Sequence, residues 1–425
     1  MIRRRHVFYV AGYDPQGVTG YHHLFCRELQ RFQRLWRIKA SSSDPQVDAD
    51  GIAAQWQIET QGPNWRVATR YEFLRWDDLV TRDLQRPFFV IFLQVLHSLA
   101  ENLLNGTLVR TFRAGWRFGV FYLLSILAMT ATIASALLLA WFTYVGTRTF
   151  LGAGPALSLG ATIVAGVVLL AVASSVCKRW LITRICIMWP WYRDLAHKRR
   201  PDLQARIGEF AHRIVAKARA GDADEILVVG HSAGGTILIP LIARALELDA
   251  DFARAGSPVT ALALGSNLPL AALHPKGDDF RHAIRRVAAE PSVTWIDCQA
   301  RKDVVNFQDC DMVAGLGVHA GPEQCNPLYW RVRFRDVVSA EFYPRLRWNF
   351  FRMHYQFVMA NDQRAPYDYF MFVCGPARLL DWAQQGARTL ARFAQDASYA
   401  FKAPDPASAM AAASFTEMAD DKPFQ

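Results

Sequence analysis

A stretch of sixty residues ahead of the chain's midpoint, 118–177, is nearly empty of charge. Between Arg117 and Lys178 the only charged residue is Arg148. A surface helix of a soluble protein shows polar positions every turn, because one side of it meets water. Phe118 to Thr147 and Thr149 to Cys177 each exceed the ~20 apolar residues needed to cross a bilayer core. Two membrane-spanning helices are expected, at about 118–145 and 155–177. Cysteine is also scarce. Cys26, Cys177, Cys186, Cys298, Cys310, Cys325 and Cys374 are scattered and odd in number. No pair has the CxxC spacing of a zinc or redox site, so free thiols in a reducing compartment are expected. A signal peptide is missing from the reading as well: Arg3-Arg4-Arg5 opens like a basic leader, but His6 to Val10 is too short an apolar core and runs into Gly12-Tyr13-Asp14-Pro15. That pattern reads as a strand and turn.

The formal net charge is +10. It comes without zinc-knuckle spacing, a nucleic-acid motif or a lysine-rich tail, so nucleic acid is not an expected partner. Much of the excess is Arg110, Arg113, Arg117, Lys178, Arg179 and Arg184, beside the apolar stretches. Such a collar suits phospholipid headgroups, which makes the lipid bilayer the expected partner. Gly146 and Gly152-Ala153-Gly154-Pro155 predict a tight connection between two antiparallel spans. Trp141, Phe142 and Tyr144 fall where an aromatic belt would lie. The outer flanks are basic and the connecting loop carries only Arg148. The positive-inside rule then places both termini and the remaining chain in the cytoplasm, as in a bacterial inner membrane. Two neighbouring segments, Pro87 to Leu104 and Trp180 to Trp191, read either as interfacial helices or as a cap over a site.

Around this insertion the pattern is α/β. Strands are expected at Val7–Ala11, near Trp56–Ile58 and at Arg70–Leu74, then at Glu225–Val229, Val259–Leu264 and Val293–Ile296. Helical periodicity covers Tyr21–Leu35, a start at Trp76–Leu79, Leu203–Val215, a run from Ala233, and Phe280–Ala289. Alternation of this kind predicts a mostly parallel sheet covered by helices on both faces. The division is residues 1–85 and 201–400 for the α/β domain, 86–200 for the membrane insertion and 401–425 for a disordered tail.

Gly230-His231-Ser232-Ala233-Gly234 fits the GxSxG pattern, which alone is a weak signal. Here it follows an apolar run ending in Val228-Val229 and precedes a helix-forming run, the strand–turn–helix setting that a nucleophile elbow requires. Through these residues the chain resembles the α/β-hydrolase superfamily, in particular bacterial lipase- and esterase-like serine hydrolases. The resemblance covers residues 1–85 and 200–375 and implies Ser232 as nucleophile. It implies backbone N–H groups of Tyr13 and Ala233 as an oxyanion hole, with Ala11 standing where the family has histidine.

The acid and then the histidine should follow the serine in the chain. Asp303 is the expected acid with Asp297 as its alternative, and His354 is the expected base with His319 as its alternative. His231, inside the elbow, reads as packing around the turn. The implied activity is hydrolysis of a carboxylic ester, on a lipid, a lipophilic ester or a thioester, through an acyl-enzyme. That chemistry calls for no metal or cofactor. Acyl transfer or amide hydrolysis by the same triad, and a non-catalytic membrane scaffold, are the alternatives.

Overall fold

The computed structural model describes residues 1–400, and the expected tail at 401–425 lies outside the described residues. The chain opens with β1 (Arg4–Val10), α1 (Gly17–Trp36), β2 (Lys39–Ser42), β3 (Gln46–Val47), β4 (Ala53–Gln61) and β5 (Arg66–Leu74). Next come α2 (Asp77–Leu84), α3 (Phe88–Leu104), α4 (Thr107–Ala114), α5 (Trp116–Thr149), α6 (Pro155–Arg179), α7 (Ile182–Cys186) and α8 (Met188–Ala196). The α/β pattern resumes with α9 (Pro201–Ala220), β6 (Glu225–His231), α10 (Ala233–Leu248), β7 (Val259–Leu264), α11 (Leu268–Ala272), α12 (Asp278–Ala288) and β8 (Val293–Ala300). It closes with β9 (Leu328–Val332), α13 (Tyr343–Leu346), α14 (Phe350–Tyr355), α15 (Tyr369–Cys374) and α16 (Leu379–Ala391).

The nine strands form one sheet in the order β2-β4-β5-β1-β6-β7-β8-β9, with β3 paired to β4. From β5 to β9 every neighbour is parallel, whereas β2, β3 and β5 run antiparallel to β4. The expected mostly parallel α/β sheet is therefore present, built from both sides of the insertion. The strands read from the sequence are those with an apolar run, or with the apolar–polar alternation of Trp56–Ile58 and Arg70–Leu74. Two short edge strands, β2 and β3, and the half-exposed β9 carry no such run and were not expected. Each sheet face carries its own core. One joins Val228, Ile237, Leu241 and Ile284 to Phe118, Tyr122 and Trp189 of the insertion. The other joins Val229 and Tyr71 to Phe32, Phe370 and Trp382.

Helices α5 and α6 are long and apolar enough to cross a membrane, each containing an 18-residue stretch of mean hydropathy 2.2 and 2.4 respectively. Helix α5 runs further than expected. Gly146 stays helical, and the turn is made by the residues between Thr149 and Pro155, where Gly152 takes φ +59°. Arg148 donates to Ala153 O at 2.9 Å, so the lone cation of the loop closes the turn on itself. The first half of α5 lies on the domain: Phe118, Tyr122, Ile126, Met129 and Ile133, three or four residues apart, form a buried stripe. Past that stripe the helix buries little but Ala136 and Ala140.

The two neighbouring segments differ in burial. Helices α7 and α8 form a cap, with Cys186, Trp189, Trp191 and Tyr192 buried. Helix α3 buries Ile91, Val95 and Ser98 but exposes Phe89, Leu93, Leu103 and Leu104. The basic collar needs correction. Arg110 donates to Leu273 O, Arg117 to Arg301 O, and Arg184 pairs with Asp14 inside the protein. These three cations are taken up because α4, α5 and α7 fold back onto the domain, leaving Arg113, Lys178 and Arg179 on the outside.

Candidate active site

Strand β6 is buried along its whole length, and the chain leaves it through an abrupt turn. Ser232 holds φ 58° and ψ −122°, an unfavourable backbone conformation of the kind that costs roughly 1–3 kcal/mol and persists only where its surroundings enforce it. The flanking glycines make it feasible. A Cβ on Gly230 would lie 2.6 Å from Gly234 O, and one on Gly234 would lie 2.2 Å from Val10 O. Ser232 N donates to Leu264 O at 2.9 Å, which fastens the turn to the end of β7. Ala233 is the first residue of α10, so its N–H has no acceptor within the helix and carries the helix's partial positive end.

The chain order reverses direction across the sheet at β1. It proceeds first to β5 on one side and later to β6 on the other. In open α/β sheets the crevice at such a switch point, beyond the carboxyl ends of the strands, is where ligands bind. The register Val10↔Gly230 brings the loop after β1 against the elbow, and a Cβ on Gly12 would lie 3.2 Å from Ser232 Cβ. Tyr13 turns its hydroxyl away to Asp83 at 3.1 Å and packs edge-on against Trp76 and Trp191.

The expected acid and the expected histidine follow β8 and β9. Asp303 follows β8 on a loop braced by Asn306, which donates to Ala300 O and Asp303 O. Asp303 Oδ1 accepts from Val305 N at 2.9 Å, and its Oδ2 meets His354 Nδ1 at 2.6 Å. Both side chains are buried. His354, at the end of α14 beyond β9, is also held by its backbone: its carbonyl receives Nε2 of His231 at 3.2 Å. Burial, and then the neighbouring His354, keep the His231 ring well below the ordinary imidazole pKa. It is a neutral donor, so its part goes beyond the packing expected of it.

The alternative residues lie elsewhere. Asp297 is inside β8, on the sheet face of Val293 and Trp295, and accepts from Gln299 Nε2 at 2.8 Å. His319 is exposed, with its carbonyl facing Arg285. His354 is thus joined to Asp303 and to neither alternative.

Ser232 and His354 share a cavity of about 280 Å3. Most of its wall is apolar: Phe118 and Phe121 of α5, Leu181 and Ile185 beside and in α7, Met188 and Trp189 of α8. A polar knot sits at one side. Asp14 accepts from Arg184 of α7, from the Tyr355 hydroxyl and from Gln16 N. This knot ties together the loop after β1, the residue next to His354 and the cap. The sequence offered no separate signal for it, since Arg184 reads there as one more collar cation.

No protein-family model, curated protein or solved structure matches the chain.

One other cluster has metal-ligand residue types. Glu101, His197 and His274 bring their ligand atoms within 4.8 Å of one another. His274 Nδ1 already accepts from Lys276 N at 3.1 Å, and its Nε2 lies 3.3 Å from Glu101 and 3.1 Å from the Asn105 amide nitrogen. Glu101 also receives His197 at 2.5 Å and Arg193. The cluster is a hydrogen-bonded clamp joining α3, α8 and the residues after α11.

Proposed function

We propose that this chain is a membrane-anchored serine hydrolase of the α/β-hydrolase type that cleaves a carboxylic ester of a lipophilic substrate. The observation that carries the reading is the buried Asp303–His354 pair at 2.6 Å, whose Nε2 has no hydrogen-bond partner among the described residues and belongs to the cavity that holds the Ser232 elbow. A histidine oriented through Nδ1 by a carboxylate, with Nε2 unclaimed, is the arrangement of a general base. The chain order Ser232, Asp303, His354 and the elbow between β6 and α10 agree with the α/β-hydrolase pattern. No hydrogen bond joins Nε2 to Ser232 among the described residues, and such bonds are often loose until substrate is bound.

In this mechanism His354 Nε2 accepts the proton of Ser232 as the hydroxyl oxygen bonds to the ester carbonyl carbon. Asp303 stabilises the imidazolium, while the N–H groups of Ala233 and Tyr13 receive the oxyanion. Collapse expels the alcohol, which takes the proton from His354. Water then attacks the acyl-enzyme by the same route, releasing the acid and restoring Ser232.

The lipophilic substrate class rests on the wall of the cavity. Most of its apolar side chains come from the start of α5 and the segment directly after α6, the two helices suited to a bilayer, with Val305 and Phe351 added from the α/β domain. A site built this way stands at the base of the spans and offers apolar contact to an acyl chain. Labelling of the full-length protein in membranes with a fluorophosphonate probe tests the reading. Label on the wild type and none on Ser232→Ala is expected; equal labelling of both, or of neither, would sink it and favour a non-catalytic scaffold.

A further inference from the structure

Asn267 lies just beyond β7, next to the elbow, and borders the Ser232 cavity. It is 1% exposed, and its Oδ1 has no hydrogen-bond partner. A buried amide oxygen left without a donor carries its desolvation penalty uncompensated, so the position needs a reason. A structural one is close at hand and unused. Asn267 is the N-cap residue of α11, a place where asparagine ordinarily accepts from a backbone N–H of the first turn. Its side chain makes no such bond, and the Leu268 N–H is instead taken by Ser266 Oγ at 3.2 Å.

Among the described residues, three that border the cavity have a buried side-chain atom without a partner: His354 Nε2, His231 Nδ1 and Asn267 Oδ1. The first belongs to the proposed base and the second to the ring that steadies it. Of the other polar side chains around the cavity, Asp14, Arg184 and Tyr355 engage one another, Tyr13 and Trp189 donate to Asp83 and Ser125, and Gln16 is exposed to solvent. Asn267 is therefore the buried polar side chain there that no catalytic or architectural task has claimed.

We infer that the Asn267 amide binds a hydroxyl of the substrate close to the scissile ester. This rests on the hydrolase reading above and names the substrate class more narrowly, as a hydroxy ester rather than a plain alkyl ester. An amide offers an acceptor at one end and donors at the other. A hydroxyl satisfies either end, whereas an ether or alkyl oxygen can only accept. The hydroxyl can stand on the alcohol side, as in a monoacyl polyol, or on the acyl side, as in a 3-hydroxyacyl ester. A site built to hydrogen-bond such a group discriminates strongly against an analogue lacking it, because its own polar atom is then left unpaired.

The test uses the full-length protein in detergent with three esters: glycerol monodecanoate, methyl 3-hydroxydecanoate and propyl decanoate. The wild type is expected to favour at least one hydroxy ester over propyl decanoate by tenfold or more in kcat/KM. Asn267→Leu should bring that ratio to near one while leaving propyl decanoate turnover within about threefold. The preferred ester tells which side bears the hydroxyl. Asn267→Ser, smaller and still polar, replaces the leucine variant if that one does not fold, and should lower the ratio without changing the unfolding temperature. No preference in the wild type, or a preference untouched by either variant, overturns the inference. Ser232-dependent fluorophosphonate labelling of the same samples separates the two failures: intact labelling with no hydroxyl preference defeats the Asn267 role alone, and absent labelling defeats the hydrolase reading itself.

Discussion

Helices α10 and α6 look alike as sequence and are placed in opposite surroundings. Helix α10 is almost entirely buried, with Ile237, Leu238, Ile239, Leu241 and Ile242 enclosed between the sheet and α9 and α12. Of the 25 residues of α6 only Ser158, Ala173 and Cys177 are buried; Leu157, Ile163, Val164, Val167, Val168 and Val172 face outward. Burying such a side chain is worth about 1.5–3 kcal/mol, so α10 gains from the protein what α6 can gain only from a non-aqueous neighbour. Apolar composition therefore does not say whether a helix is core or span. Length does better: α10 ends after 16 residues, too few to cross a bilayer, whereas α6 has enough.

The comparison extends to glycine, and there the largest effect is expected. A Cβ on Gly234 would stand 2.2 Å from one backbone oxygen and 2.6 Å from the next, with no flexible side chain to yield. Gly160 in α6 has nothing within 4 Å. Gly234→Ala should leave no folded protein on gel filtration in detergent. Gly160→Ala should unfold at the wild-type temperature or slightly above, since alanine favours a helix by ~1 kcal/mol. A well-folded Gly234→Ala protein would mean that the elbow is not built as described.

The two buried aspartates after and within β8 come next. Under the proposed mechanism, Asp303→Asn removes the charge that holds the His354 tautomer, and ester turnover should fall by roughly 10³–10⁴. Asp297→Asn should leave turnover within about threefold. The reverse order would transfer the acid role to Asp297.

Asp297 has a different signature, in stability. Burial pushes its carboxyl up to about 7, against the pull of the Gln299 hydrogen bond. A carboxyl raised on folding stabilises the native state below its unfolded value, near 4, and that contribution is lost as pH climbs through 7. The loss amounts to roughly 4 kcal/mol at most. Asp297→Asn should therefore unfold at a higher temperature than wild type at pH 8, and the gap should close on going down to pH 4. Parallel unfolding curves at both pH values would show that the carboxyl is not the strained group.

How much of this was open to reading from the sequence varies with the range of the interaction. Strand β6, Ser232 and α10 are contiguous, so an apolar run, two glycines and a second apolar run suffice to place them. His354 and Asp303 lie 51 residues apart; chain order left two candidate histidines, and position at the end of the strand Val293–Ile296 left two candidate acids, so separating Asp303 from Asp297 required knowing which residues lie within the strand and which beyond it. Arg184 was misread because pairing with Asp14, 170 positions earlier, leaves no local mark, so an inward arginine and a headgroup arginine are spelled alike. Asn267 is legible only by what it fails to bond.

The last test returns to α6. Val168 lies midway along the helix and faces outward. If that surface meets the hydrocarbon of a bilayer, Val168→Lys brings a charge to mid-span. Insertion scales assess that at about 2.5–3.5 kcal/mol for a lysine, less whatever the side chain regains by reaching for the interface. If the surface met water instead, an exposed substitution of this kind would move stability by no more than about 0.5 kcal/mol. The membrane-extracted fraction of a tagged chain, with and without the lysine, distinguishes the two. A marked fall in the integrated fraction is expected for Val168→Lys. Lys178→Leu, at the exposed end of the same helix, should leave the integrated fraction unchanged. An unchanged fraction for Val168→Lys would remove α6 from the bilayer and return the contrast with α10 to composition alone.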